Sequence, residues 1–344
     1  MIDITIRGAG IMGLTLAWHC LNLGASVRVI DPNGIANGAS GGIVGALAPH
    51  VPENWNTKKQ FQFESLLYSQ KFWRSVDNIS GLKSGYKRTG RLQPLWDESS
   101  VTLAKKRKET AADLWQNFAT WEIIDNSKEW ELTSPTGLWI FDTLSALIHP
   151  RLACLSLAQA LNKKGCEFLL EGKNKGKVVW ATGVNDLSRI SQKIEKNFGN
   201  GVKGQAALFK LEKPKPAQLF AETLHFIPHL DGTLAIGSTS ENSFEHSDSN
   251  DDKLTALIKK ATNILPELKG KDPICTWANV RPRSRSRAPV LGEHPLYPSE
   301  FIMNGGFKIG FGMAPQMGRV FSEFLLQKVN NIPTEFSPHV SLKL

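Results

Sequence analysis

The chain has 344 residues, enough for about two domains at roughly 150 residues each. Hydrophobic residues make up 41% and charged residues 21%, which supplies a sizeable core and excludes a disordered tail, a collagen or a disulfide miniprotein. The net charge of +9, from 41 Lys and Arg against 32 Asp and Glu, favours anionic ligands in general but is no nucleic-acid signature unless clustered.

Ile2, Ile4 and Ile6 alternate with Asp3 and Thr5, the pattern of a short strand. Gly8-Ala9-Gly10-Ile11-Met12-Gly13 follows as a GxGxxG and runs into the helical spacing of Leu14, Ala17, Trp18 and Leu21. Gly24 ends that helix, and Val27, Val29 and Ile30 form a second strand closed by Asp31. The three glycines serve different physical needs. Gly8 permits the tight turn, Gly10 lets the backbone approach a pyrophosphate, and Gly13 allows close helix–strand packing. The helix start offers free N–H groups and a partial positive charge to phosphates. Asp31 is placed to accept ribose hydroxyls, and an acid there argues against a 2′-phosphate and so against NADP. Ala9 to Val27 is uncharged, but it lacks a basic leader and His19 and Asn22 interrupt it. It reads neither as a signal nor as a membrane span.

NAD and FAD both satisfy this unit, so the next segment must discriminate. Gly34 to His50 is a long run of small residues where an NAD enzyme would start its next helix. Such a backbone can wrap a pyrophosphate and pass along a flat ring. Further on, Leu92–Leu95, Trp121–Ile124 and Gly137–Phe141 read as strands, with a polar helix from Val101 to Phe118 between the first two. Residues 152–162 and 316–329 read as amphipathic helices, and acidic Asn242 to Asp252 as a surface loop before a helix at Leu254–Ile264. Lys105-Lys106-Arg107-Lys108 reads as a solvated helix face. Cys20, Cys154, Cys166 and Cys275 are far apart with no zinc-ligand spacing. Reduced thiols, no metal site and a soluble cytoplasmic protein are expected.

Further motifs follow in order: Thr89-Gly90-Arg91-Leu92, Ile148-His149-Pro150-Arg151-Leu152, Val178-Val179-Trp180-Ala181-Thr182-Gly183 and Gly201-Val202-Lys203-Gly204-Gln205. Phe226-Ile227-Pro228-His229, Ile236-Gly237-Ser238-Thr239, Val280-Arg281-Pro282 through Gly292, and Gly305-Gly306-Phe307-Lys308-Ile309-Gly310-Phe311-Gly312-Met313-Ala314-Pro315 complete the series. In this order they resemble the FAD-dependent D-amino acid oxidase (DAO) superfamily, and within it the glycine oxidase and sarcosine oxidase group. The resemblance covers nearly the whole chain. It departs in a short stretch between Gly165 and Val178, in lysine rather than arginine at 308, and in His225 where a substrate-binding tyrosine is expected.

The resemblance implies an α/β protein (α+β overall). A Rossmann-like FAD-binding domain of the DAO type would comprise residues 1–82, 148–204 and 276–344, with an inserted, mainly antiparallel β substrate domain at 83–147 and 205–275. It implies FAD held without a covalent bond, since Asn279 stands where sarcosine oxidases attach flavin through cysteine. The implied cofactor contacts are Gly8, Gly10, Ile11, Met12, Gly13, Asp31, Ser40, Gly41, Gly45, Ala46, Leu47, Thr182, Gly183 and Gly306 to Gly312, Lys308 and Ile309 among them. The implied reaction oxidises the C–N bond of a small amino acid or N-substituted glycine. Hydride goes to flavin N5, the imine hydrolyses, and dioxygen is the expected acceptor. Arg281 would anchor the substrate carboxylate with its bidentate fork. Lys308 would be the second cation, beside the flavin, and His225 a third contact. His50 is read as a loop histidine as readily as a site residue.

Two alternatives stay open at this stage. The run Arg283-Ser284-Arg285-Ser286-Arg287, with Ala39-Ser40-Gly41 and Gly45-Ala46-Leu47, also resembles the oxidase that removes a carboxymethyl group from the tRNA wobble uridine. That reading is not favoured, because no RNA-binding module accompanies it. The other alternative is an amine dehydrogenase with a non-oxygen acceptor. The sequence sets no oligomeric state.

Overall fold

The computed structural model describes residues 2–125, 129–211, 215 and 217–343. Met1 and Leu344, the outermost residues of the expected flavin domain, lie outside them. The alternating isoleucines form β1 (Ile4–Arg7), the glycine turn feeds α1 (Ile11–Asn22), and β2 (Val27–Ile30) runs up to Asp31. The small-residue loop makes only a 3-10 turn at Ala39–Gly41 and the two-residue β3 (Ala46–Leu47) before the long α2 (Thr57–Ser80). Then come β4 (Arg91–Pro94), α3 (Glu98–Leu114), β5 (Trp121–Asp125), β6 (Leu138–Asp142), β7 (Ala146–Leu147) and α4 (Pro150–Lys163). The central part continues with β8 (Glu167–Leu169), β9 (Lys177–Trp180), α5 (Val184–Lys193), β10 (Gly199–Lys210), β11 (Gln218–Ala221), β12 (Leu224–Pro228) and β13 (Thr233–Gly237). The chain ends with α6 (Asp252–Ile264), β14 (Cys275–Ser284), β15 (Val290–Glu293), β16 (Phe301–Asn304), α7 (Gly310–Gln327) and α8 (Pro338–Lys343).

The strands form two large sheets. One has the order β15-β16-β9-β1-β2-β8, parallel throughout except for β15 against β16. Parallel strands need crossovers that cover the sheet faces. Here α1 packs on α4 and α7, and α2 lies across α4 and α7. The main core fills that layer with Leu14, Trp18, Phe72, Trp73, Met313 and Phe321. The other sheet has the order β14-β10-β13-β12-β11-β4-β6-β5 and is antiparallel except for β11 beside β4. A second core of Phe209, Phe226, Leu234, Leu257 and Ile264 lies between it and α6. This is the expected α/β architecture with a mainly antiparallel second sheet.

Several boundaries differ from the sequence reading. Helix α7 starts at Gly310 rather than 316, because burial of Met313, Ala314 and Met317 overrides the poor propensity of Gly310, Gly312 and Pro315. The Val101–Phe118 helix runs from Glu98 to Leu114, with Asp97 and Ser100 forming a reciprocal cap at its start. The expected domain cuts at 204/205 and 275/276 meet β10 and β14, which pair from Gly199 to Leu208 against Cys275 to Ser284. Residues 199–204 and 276–284, assigned to the flavin domain, therefore stand in the antiparallel sheet. All four cysteines are free, and three of them are buried. Among the described residues, no helix is long and apolar enough to cross a membrane, and no His/Cys/Asp/Glu cluster could hold a metal ion.

Candidate functional site

A cavity of about 1000 Å³ joins the two sheets, running from Asp31 past the glycine turn to Arg281 and the Phe307–Lys308 segment. Small-molecule sites span roughly 300–1,000 Å³, so this one has room for a dinucleotide and a small second ligand.

The dinucleotide end is shaped by backbone. Gly8 adopts φ +114°, a conformation that favours glycine. A Cβ at Gly13 would lie 2.0 Å from the Gly8 carbonyl oxygen, so glycine there lets α1 start directly above the turn. The Ile11 N–H donates to Ser40 Oγ at 3.0 Å, which ties the small-residue loop to the helix start. Asp31 is held by two backbone donors: Ala9 N–H to Oδ2 at 2.8 Å and Asn33 N–H to Oδ1 at 3.0 Å. Each oxygen keeps a lone pair for a sugar hydroxyl. Gly8, Gly10, Ile11, Met12, Asp31 and Ser40 line the cavity here, with Thr182 and Gly183 from the turn after β9. With glycine at 8 and 10, no side chain from those positions stands between α1 and the cavity. The cradle therefore fits a pyrophosphate.

Gly45, Ala46 and Leu47 line the middle, and Gly306, Phe307, Lys308, Gly310, Phe311 and Gly312 the far wall. Gly13, Gly41 and Ile309 are not among the lining residues. Gly41 is pressed on backbone, where a Cβ would come 2.2 Å from the Ala36 oxygen. Ile309 caps the start of α7. These three shape the wall rather than form it.

The opposite end gathers Arg281, Lys308 and His225, as the sequence suggested. Arg281 is buried on β14, with its guanidinium 5.5 Å from the Phe307 ring centre. Its Nη2 donates to the carbonyls of Lys203 (3.2 Å) and Thr239 (2.6 Å), and Nη1 donates to Ser238 Oγ (2.7 Å). Its Nε–H is buried without a partner. The expected free fork is thus largely taken by β10 and the strand-end residues after β13, and one Nη1 proton remains for a ligand. Burial draws Arg281 down to about 10, with Glu241 opposing, so it stays charged at neutral pH.

Lys308 has no hydrogen bond or ion pair among the described residues, and its ammonium lies 5.8 Å from the same Phe307 ring. Burial first and the Arg281 charge second hold it below the ordinary lysine range. His225 lies tilted against Phe220, with ring centres 4.7 Å apart and planes 44° from each other, and its Nδ1 is buried without a partner. Burial, reinforced by Arg91 and Lys308, pushes its imidazole down to about 3. It is a neutral polar group in a cationic wall.

Other residues behave as bystanders. His50 lies outside the cavity lining, and its N–H donates to Gln62 Oε1 at 2.7 Å. Strand β14 stops at Ser284, so the alternation across Arg283, Arg285 and Arg287 does not continue as a strand face. Arg283 donates to Asn200 and Asn242, and Arg285 to the Asn197 carbonyl. Sequence reasoning missed Arg7, Trp180, Phe220, Ser238, Trp277 and Asp248 as lining residues. For Arg7 a signal existed, an arginine directly before the first glycine, and Trp180 and Ser238 stand within motifs that carry the resemblance; Phe220, Trp277 and Asp248 come from strands and a loop whose pairing no local pattern reveals.

Known proteins resemble the chain in sequence and in fold. The family model of FAD-dependent oxidoreductases (DAO) matches residues 3–324. A glycine oxidase of Pseudomonas putida is 33% identical over 125 residues, covering 36% of this chain and 34% of that protein. Glycine oxidase of Bacillus subtilis is 19% identical over 354 residues, covering 96% of this chain and 94% of the relative. The crystal structure of glycine oxidase from Geobacillus kaustophilus superposes with a TM-score of 0.84 at 17% identity, covering 97% of each chain.

Proposed function

Because the chain belongs to the family of FAD-dependent oxidoreductases, we propose that it oxidises the C–N bond of a small amino acid or N-substituted glycine. The observation that carries this reading is the continuity of the cavity, with a dinucleotide cradle at one end and Arg281, Lys308 and His225 at the other. The resemblance to glycine oxidases supports the amine class.

FAD, when bound, supplies the hydride acceptor and passes its electrons on, in our proposal to dioxygen. The chain's own residues bind and orient. The glycine turn, Ser40 and Asp31 hold the nucleotide half. The remaining Nη1 proton of Arg281 and the unpartnered Lys308 ammonium receive the substrate carboxylate by charge-assisted hydrogen bonds. Phe220, Trp277 and Phe307 give the pocket apolar walls. His225, kept neutral, adds no further charge beside a substrate amine. Holding the reacting carbon in one orientation lowers the entropic part of the barrier. The division of labour we propose follows the two sheets, with the parallel one holding FAD and the antiparallel one presenting the amine.

The tRNA reading is weakened by where the arginines go, since Arg283 and Arg285 are bonded within the protein. The test compares flavin reduction by N-substituted glycines with reduction by tRNA carrying carboxymethylaminomethyl uridine, at two salt concentrations. Reduction by the small amines supports the proposal. Efficient, steeply salt-dependent reduction by the tRNA alone overturns it.

A further inference from the structure

A second cleft, of about 250 Å³, opens away from the cofactor cavity between α2 and residues 86–88. Its helix wall is Gln70, Trp73, Arg74 and Asp77, spaced i, i+3, i+4 and i+7 so that they share one face of α2. Its other wall is Tyr86, Lys87 and Arg88. Three cations therefore meet one carboxylate.

That carboxylate is already engaged. Asp77 Oδ1 accepts from the Ser84 N–H (2.9 Å) and Ser156 Oγ–H (3.0 Å), and Oδ2 accepts from Ser84 Oγ–H (2.9 Å). Arg88 donates to the Thr143 and Phe118 carbonyls. The Arg74 and Lys87 side chains are exposed, and neither has an ion pair or hydrogen bond among the described residues. Trp73 is fully buried, and its indole N–H has no partner; the Tyr86 hydroxyl is likewise buried and unpartnered. Unsatisfied buried donors are uncommon in native proteins and call for an acceptor. The cleft thus carries unmatched positive charge on Arg74 and Lys87, offers no free carboxylate, and is backed by buried donors of Trp73 and Tyr86 that have no surface open to it.

We propose that this cleft is a binding site for a phosphate-class oxyanion, free or carried by a small molecule, with Arg74 and Lys87 as its charged contacts. It is independent of the amine site. Lys87 bridges to Leu147, and Leu147 pairs with Ala46 of the cofactor loop, so one strand, β7, stands between an occupant and the loop that lines the flavin cavity.

The probe is inorganic phosphate, titrated by calorimetry into the FAD-loaded protein at ionic strength held constant with chloride. One saturable site is expected. The double variant Arg74→Ala/Lys87→Ala should weaken it by at least about tenfold, as for loss of charge-assisted contacts, with an unchanged flavin spectrum and thermal midpoint. In indole N–H spectra the Trp73 signal, assigned with Trp73→Phe, should move on phosphate addition. A glucose-phosphate monoester arm then separates free phosphate from a phosphorylated metabolite as the preferred form. Non-saturable heats, equal affinity in the double variant, or a phosphate-induced change in the flavin spectrum of both proteins would each overturn the proposal.

Discussion

Arg281 lies directly beneath Gly204: a Cβ on Gly204 would stand 2.6 Å from the guanidinium carbon. The two residues occupy neighbouring strands, β14 and β10, and the missing side chain makes room for a buried cation. Gly204→Ala should therefore displace Arg281 without touching any ligand. Overpacking of this kind costs about 1–3 kcal/mol, and we expect a lower thermal midpoint together with a raised KM. Wild-type KM in a folded Gly204→Ala protein would show that Arg281 does not anchor substrate.

Arg281 and Lys308 should fail differently when truncated. Arg281 also ties Lys203, Ser238 and Thr239 together, so Arg281→Ala should lose both stability and substrate capture. Lys308 makes no hydrogen bond or ion pair among the described residues and only faces the Phe307 ring, so Lys308→Ala should keep the wild-type thermal midpoint. It should still lose about 1.5–3 kcal/mol of substrate binding, a tenfold to hundredfold change. Thermal melts and steady-state kinetics on the same preparations check both statements.

Cofactor binding should depend on Asp31 and need no covalent bond. Asp31→Asn keeps an acceptor toward Ala9 but loses the charge that favours ribose hydroxyls, so the apoprotein should bind FAD about tenfold more weakly. Asn279, not a cysteine, lines the cavity, and none of the four cysteines does. Acid precipitation should leave the flavin in the supernatant; colour in the pellet would contradict this.

Capture of the carboxylate should be lost on the alkaline side. Both cations are lowered, Arg281 to about 10 and Lys308 below the ordinary lysine value. Their charged forms persist at neutral pH and disappear as pH rises toward those values, so KM should climb before an ordinary lysine would titrate. His225, at about 3, should contribute no inflection between pH 5 and 8. A pH profile of kcat/KM for wild type and His225→Asn checks this, and an inflection near pH 6.5 that vanishes in the variant would contradict it.

Much of the cofactor half was legible because its signals are local. The Gly8–Gly13 turn, the flanking strands and Asp31 lie within one stretch of chain, and each residue type answers a backbone requirement there. In the second sheet β4, β5 and β6 were legible as strands, but the sheet they build was legible only through resemblance, since β11 and β4 become neighbours from distant parts of the sequence. The same distance hid the fate of Arg281. Its position in the motif marked it as a carboxylate anchor, but nothing near residue 281 shows that the Lys203 and Thr239 carbonyls take its protons. The start of α7 was hidden for the opposite reason: Gly310, Gly312 and Pro315 look like a loop until burial against α1 and α2 is known.

Anaerobic addition of amines to the FAD-loaded protein, followed by the flavin absorbance, tests the proposed chemistry. Glycine, sarcosine, other N-alkyl glycines and D-amino acids form the panel. At least one of them should bleach the oxidised flavin band, with Lys308→Ala needing a higher concentration for the same rate. A flavin that stays oxidised with every amine, yet is bleached by dithionite, would contradict oxidation of a small amine at this site.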